Sequence, residues 1–305
     1  MSAVTGAESP RRRCRKLVKR GKAPEPALLV PIVHSVAAQI EGLEVQEFLS
    51  NATLMSKCLT AMQQALECDA IVCFVDTAAT AEALGAQLDW TSYPPKILAL
   101  PKQLPTENMA ALLRSHARIQ TGVEVLKRLQ ATITDESLFA VLITGPATLA
   151  AQLGEEGDAA VLEQCGQIVS ETCRLFGESG AHMILIKETA GVQTYGLAWQ
   201  AALLPVINVA RFYDALPVLI AAGMTDEQDQ QLLNALAQNI LVCTAEDAMN
   251  SNAKGQFLLG RPNEWILAKP GVQLLTTVDE VAPAADIPEL RLACLRIRSE
   301  LVGPG

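Results

Sequence analysis

The chain has 305 residues, 50% of them hydrophobic and only 4% aromatic, with a formal net charge of -9 and a pI near 5.0. That acidic balance excludes broad nucleic-acid binding, which needs clustered positive charge, and no apolar run reaches the ~18 residues of an ordinary membrane span. The length is compatible with one large core, because a single (β/α) barrel commonly takes about 250 residues or more.

Residues 11–22 form the one basic run, RRRCRKLVKRGK. Residues 1–24 read as a basic leader, either a solvated entry helix or a frayed terminus, with a partner-binding patch as the alternative. The apolar stretch 27–40 imitates a signal peptide, but Pro31 and His34 interrupt it, so a cytoplasmic protein is expected. The first strand spans 28–34, and His34 at its end is a candidate ligand or acid, or a hydrogen-bonded structural histidine. A helix over 45–67 leads to strand 70–75, which ends at Asp76. This carboxylate either faces a substrate or caps the next helix. Residues 96–100, flanked by Pro94, Pro95 and Pro101, suit an edge strand or loop over a barrel mouth.

After a helix over 106–130, strand 138–144 runs directly into Gly145 and Pro146 and a new helix start. Helix 158–178 carries Cys165 and Cys173 on its apolar face, consistent with core packing. Strand 183–187 ends in Lys187 and Glu188, and neighbours on a strand face opposite sides. Either one points into the mouth or the two form a plain surface ion pair. Helices over 199–213, 226–237 and 288–301 alternate with strands at 217–221, 240–243, 256–259 and 272–275. Thr244 with Asp247 reads as a helix cap, Arg261 as an anion contact or an exposed loop residue, and Asp279 as a mouth carboxylate.

About eight strands alternating with helices predict a single (β/α)8 TIM barrel over 25–305, with a doubly wound open sheet as the other arrangement. The eight cysteines show no Cys-x-x-Cys or Cys/His spacing, so reduced thiols and no metal are expected. Neither Gly-x-Gly-x-x-Gly nor a P-loop is present.

Three stretches carry a family resemblance: 73–76 (CFVD) with 80–85 (TAEALG), 145–150 (GPATLA) and 180–188 (GAHMILIKE). Together and in this order they resemble the uroporphyrinogen decarboxylase superfamily, which includes the corrinoid and coenzyme M methyltransferases. The resemblance independently implies a TIM barrel. It assigns Asp76 to the aspartate that steadies the pyrrole nitrogens in the decarboxylase branch, while Gln152 stands where that branch has a tyrosine, and the arginine-rich opening motif is replaced by His34-Ser-Val-Ala-Ala-Gln39. In the methyltransferase branch zinc is held by His-x-Cys and a later cysteine; the positions that match the His-x-Cys pair here are Ile220 and Ala222, with Asp279 near the place of the late cysteine, so zinc is not expected.

The resulting expectation is a methyltransferase-like enzyme acting on a small-molecule substrate, with a corrinoid (cobalamin) on a partner protein or a small methyl donor. Asp76 and Glu188 are the candidate catalytic residues, and His34, Gln152, Lys187, Arg261 and Asp279 the candidate substrate contacts. The alternatives are a porphyrinogen decarboxylase and a noncatalytic binding or partner subunit. No nucleic acid or membrane partner is expected, and a homodimer is allowed.

Overall fold

The computed structural model describes residues 8–19, 25–101, 108–133, 137–189, 192–224, 227–244, 254–267 and 271–302. Asp247, expected to help cap a helix, lies outside them. The strands in chain order are β1 (Leu28–Leu29), β2 (Ala70–Val75), β3 (Gln87–Asp89), β4 (Lys96–Ala99), β5 (Leu138–Thr144), β6 (Met183–Glu188), β7 (Leu216–Ala221), β8 (Leu241–Thr244), β9 (Gly255–Leu258) and β10 (Leu274–Thr277). Eight of them form one parallel sheet in the order β1-β10-β9-β8-β7-β6-β5-β2, and β3 and β4 make a separate antiparallel hairpin. With helices outside, the sheet is a nearly closed (β/α)8 barrel rather than a doubly wound sheet.

Alternation along each strand builds two cores. Inward residues such as Val30, Val72, Leu142, Leu185, Val218 and Leu274 fill the lumen. Outward residues such as Phe139, Ile143, Ile184, Ile186 and Leu219 meet the helices. In the helix layer, Ala159–Glu178 begins at Asp158, whose Oδ1 accepts the N–H groups of Ala160 (2.8 Å) and Val161 (3.2 Å). Gly166 lets this helix approach its neighbour Leu197–Phe212 closely, because a Cβ there would lie 2.6 Å from the Ala202 carbonyl oxygen.

Three expected elements are shorter than their patterns. β1 stops at Leu29 because Pro31 has no N–H and the chain turns tightly, Val33 N–H donating to Pro31 O at 2.9 Å. The expected helix 45–67 is Val45–Ser50 and Ala52–Leu66, split where Asn51 Oδ1 accepts the Thr53 and Leu54 N–H groups at 3.1 Å. Met109–Ser115 and Ala117–Thr132 are likewise separated by His116 in an extended conformation.

The seam between β1 and β2 has no strand ladder, and Asp69 bridges it. Its N–H donates to Leu29 O at 3.0 Å and its Oδ2 accepts the Leu29 N–H at 2.8 Å. Its Oδ1 accepts Arg13 Nη2 at 2.6 Å and Arg298 Nη2 at 2.8 Å, which ties in the first helix, Pro10–Val18, and the last, Ile287–Val302. Arg13 is therefore buried rather than solvated, and its Nη1 also donates to the carbonyls of Pro26 and Ala27 at 2.8 and 3.0 Å. All eight cysteines are buried and reduced. No described helix is long and apolar enough to cross a membrane.

Removing the Asp69 carboxylate leaves the buried Arg13 charge uncompensated. Asp69→Ala is expected to cost about 3–5 kcal/mol, whereas Arg298→Ala, on the wetter side of the cluster, costs under about 1 kcal/mol. Urea unfolding of both variants checks this, and equal small losses would refute the assignment.

His182, at the start of β6, accepts the Phe139 N–H at Nδ1 (3.1 Å), which requires the neutral ring. Burial, and then the charges of Arg11 and Arg15, lower its pKa from 6.5 to about 4. The unfolded histidine takes up its proton first as pH falls, so its contribution to stability is complete above about 6.5 and is lost progressively toward pH 4. The difference in urea midpoint between wild type and His182→Gln should shrink over this window; a constant difference would contradict the reading.

Candidate active site

The C-terminal ends of the barrel strands form the mouth, the end at which barrel enzymes place their chemistry. Lys187 continues the inward series Met183, Leu185, whereas Glu188 continues the outward series Ile184, Ile186. The two therefore form no pair with each other. Lys187 Nζ instead forms an ion pair with Asp279, just beyond β10. β6 and β10 stand on opposite walls, so this contact spans the mouth. The Lys187 side chain is 20% exposed and Asp279 is 75% exposed, which leaves the pair open to exchange with solvent or a ligand.

Beside the pair lies a cavity of about 730 Å³ lined by Arg261, Trp265, Thr277, Asp279, Glu280 and Glu289 among others. Arg261 donates its backbone N–H to Glu264 Oε2 at 2.8 Å, and its guanidinium makes no ion pair among the described residues. Glu280 Oε2 accepts the Tyr93 hydroxyl at 2.5 Å, and its Oε1 accepts the Ser35 N–H. His34 Nδ1 stands 3.6 Å from that oxygen, beyond hydrogen-bond reach, and both buried ring nitrogens lack hydrogen-bond partners. Burial pushes the Glu280 carboxyl up, but the neighbouring His34, Ser35 and Tyr93 outweigh it and hold it below the usual carboxylate range. Burial first, and then the Glu280 charge, raise the Tyr93 phenol.

The structure thus gathers Lys187, Asp279 and Arg261 at the mouth, with Glu280 lining the same cavity and His34 3.6 Å from it. Asp76 is instead engaged in the turn after β2, its carboxylate accepting the Thr80 N–H at 3.1 Å and the Thr80 hydroxyl at 2.5 Å. Glu188 is fully buried outside the barrel wall. It accepts the Ala147 N–H (3.1 Å), the Thr148 N–H (2.8 Å), the Thr148 hydroxyl (2.6 Å) and the Trp199 indole N–H (2.8 Å). Burial raises its pKa, opposed by these four donors. Gly145 is required here, since a Cβ would lie 2.3 Å from the Glu188 carboxyl carbon. Gln152, at the end of helix Pro146–Gln152, is half-buried and does not line the cavity.

Glu280 and Tyr93 were missed in the sequence. Glu280 adjoins Asp279, and the period-2 rule would have sent the two to different sides. Tyr93 lies between the hairpin strands β3 and β4, where no periodic signal points to the mouth.

Fold and site define a parallel barrel protein with a polar mouth crossed by a lysine–aspartate pair. The family described as uroporphyrinogen decarboxylase (URO-D) matches residues 17–209, and the chain belongs to that family. Among solved structures it is similar to a methyltransferase from Methanosarcina mazei, with a TM-score of 0.68 at 14% identity over 95% of this chain and 99% of the other. It is also similar to a B12-independent methionine synthase from Shewanella sp. W3-18-1, solved in complex with selenomethionine, with a TM-score of 0.54 at 12% identity over 91% and 98%. No curated protein matches the sequence.

The zinc site that the resemblance implies does not fit these residues. Ile220 lies in the lumen core, Ala222 offers no donor, and among the described residues no three His, Cys, Asp or Glu side chains are placed so that together they could hold a metal ion.

If Glu188 chiefly anchors the helix after β5, Glu188→Gln turns an amide NH2 toward donors and lowers stability by about 1–3 kcal/mol. Urea unfolding measures this. Unchanged stability combined with lost turnover would instead give the carboxylate a chemical role.

Proposed function

We propose that the chain is a methyl-transfer enzyme of the uroporphyrinogen decarboxylase family, acting at the barrel mouth on a small anionic substrate. A corrinoid protein or a small methylated compound is the proposed donor, and no step is routed through zinc. The observation that carries this reading is the Lys187–Asp279 pair across the mouth. An incoming carboxylate or similar anion replaces Asp279 on Lys187, whose ammonium is a point charge with three donors. Asp279 is then free to take a proton. As the acceptor's X–H lone pair forms the new C–X bond, the donor keeps the electrons of the broken bond to methyl, and the acceptor proton passes to Asp279. Arg261 supplies a second cation at the cavity wall.

A noncatalytic barrel, serving as a small-molecule binder or partner subunit, is the second reading. It is favoured by the hydrogen bonds that commit Asp76 and Glu188 to local structure. The decarboxylase reading has less support, because the cavity sets Asp279, Glu280, Asp286 and Glu289 against the single cation Arg261, which suits a multiply carboxylated porphyrinogen poorly.

The test is demethylation of methylcobalamin, followed by absorbance, with thiol, amine and tetrahydrofolate acceptors. Wild type should exceed the uncatalysed rate with at least one acceptor. Lys187→Met should lower kcat/KM about tenfold or more, mainly through KM, and Asp279→Asn should act mainly on kcat. Absence of acceleration with every acceptor would reject the enzyme reading in favour of the binding one.

A further inference from the structure

The far end of the barrel carries a feature that the mouth does not explain. The helix Pro10–Val18 presents Arg11, Arg15 and, just past its end, Lys19 at spacings of four, on one face. Together with Leu138, His182 and Asp214 they line a cavity of about 390 Å³ beneath the barrel. Three cations stand there against one carboxylate, in a chain whose net charge is -9. Like charges at this spacing repel one another, and neither Arg15 nor Lys19 has an ion-pair partner among the described residues.

The site is also preorganised. Arg11 Nε donates to Ser137 O at 3.0 Å, and its guanidinium carbon lies 5.5 Å from the centre of the Phe139 ring, which fixes the fork. His182 accepts the Phe139 N–H at Nδ1, so the neutral ring carries its proton on Nε2 and has a donor to offer. Two guanidinium forks, one ammonium and one imidazole N–H match the several acceptor oxygens and double charge of a phosphate group. We propose that this floor cavity binds a small dianion of the phosphate-monoester class, at a site separate from the mouth.

The experiment compares thermal melting and calorimetric titration of the full chain with inorganic phosphate and glycerol 3-phosphate against sodium chloride at matched ionic strength. Saturable one-site binding is expected, with a rise in Tm that chloride does not reproduce. Arg15→Glu combined with Lys19→Glu changes two exposed side chains and should leave the ligand-free Tm close to wild type while weakening binding by about tenfold or more. The His182 ring resonances should shift on phosphate addition in wild type and stay in place in the double variant. An equal response to chloride, or binding retained in the double variant, would overturn the proposal. Binding lost instead in Lys187→Met would also overturn it, by placing the anion at the mouth; methyl-transfer activity is not needed for any of these readouts.

Discussion

A parallel barrel must close on itself, and here closure depends on Asp69. β1 contributes only two residues to the sheet, both laddered with β10, and no ladder joins it to β2. One carboxylate replaces the missing rungs. It accepts a backbone N–H from β1 and two guanidinium groups, one from the first helix and one from the last. Charge-assisted bonds to a 2% exposed carboxylate are strong because little water competes for them. The first and last described helices are thereby tied to this seam at the barrel floor.

Strict alternation along the strands then separates neighbouring residues into different environments. Lys187 enters the lumen and meets Asp279 from the opposite wall; Glu188 leaves it and receives four donors from the helix layer. The first of these carboxylates is solvent-accessible and exchangeable, the second is enclosed. Two adjacent letters in the sequence thus do unlike work, one in an ion pair at the barrel mouth and one in holding the Gly145–Pro146 turn against β6. The same logic explains why the turn needs glycine: the Glu188 carboxyl occupies the space of a Cβ.

Much of the architecture was legible because buried parallel strands are short apolar runs separated by helices, a pattern that 70–75, 138–144 and 183–187 display plainly. The breaks were not. Asn51 and His116 sit inside continuous helical periodicity, and only their local hydrogen bonding and extended backbone show that the helix stops. Of the candidate site, Lys187, Asp279 and Arg261 were readable from their places at strand ends. Asp76 was readable as either a mouth group or a cap; the N-cap of the next helix, Ala79–Ala83, is Ala78, and the Asp76 carboxylate reaches past it to accept the Thr80 N–H and hydroxyl. Glu280 and Tyr93 were not readable, since their contact joins positions 187 residues apart through a hairpin outside the barrel repeat.

The sequence by itself determined that the chain forms a (β/α)8 barrel with a polar mouth, because hydrophobic periodicity is a local property that survives in one dimension. Tertiary structure alone decided which polar groups meet. Lys187 could find Asp279 only after eight strands had curved into a ring, and Arg13 became a buried partner of Asp69 only once the barrel floor existed to cover it. Charge pairing depends on distance in space, and no local pattern encodes that distance.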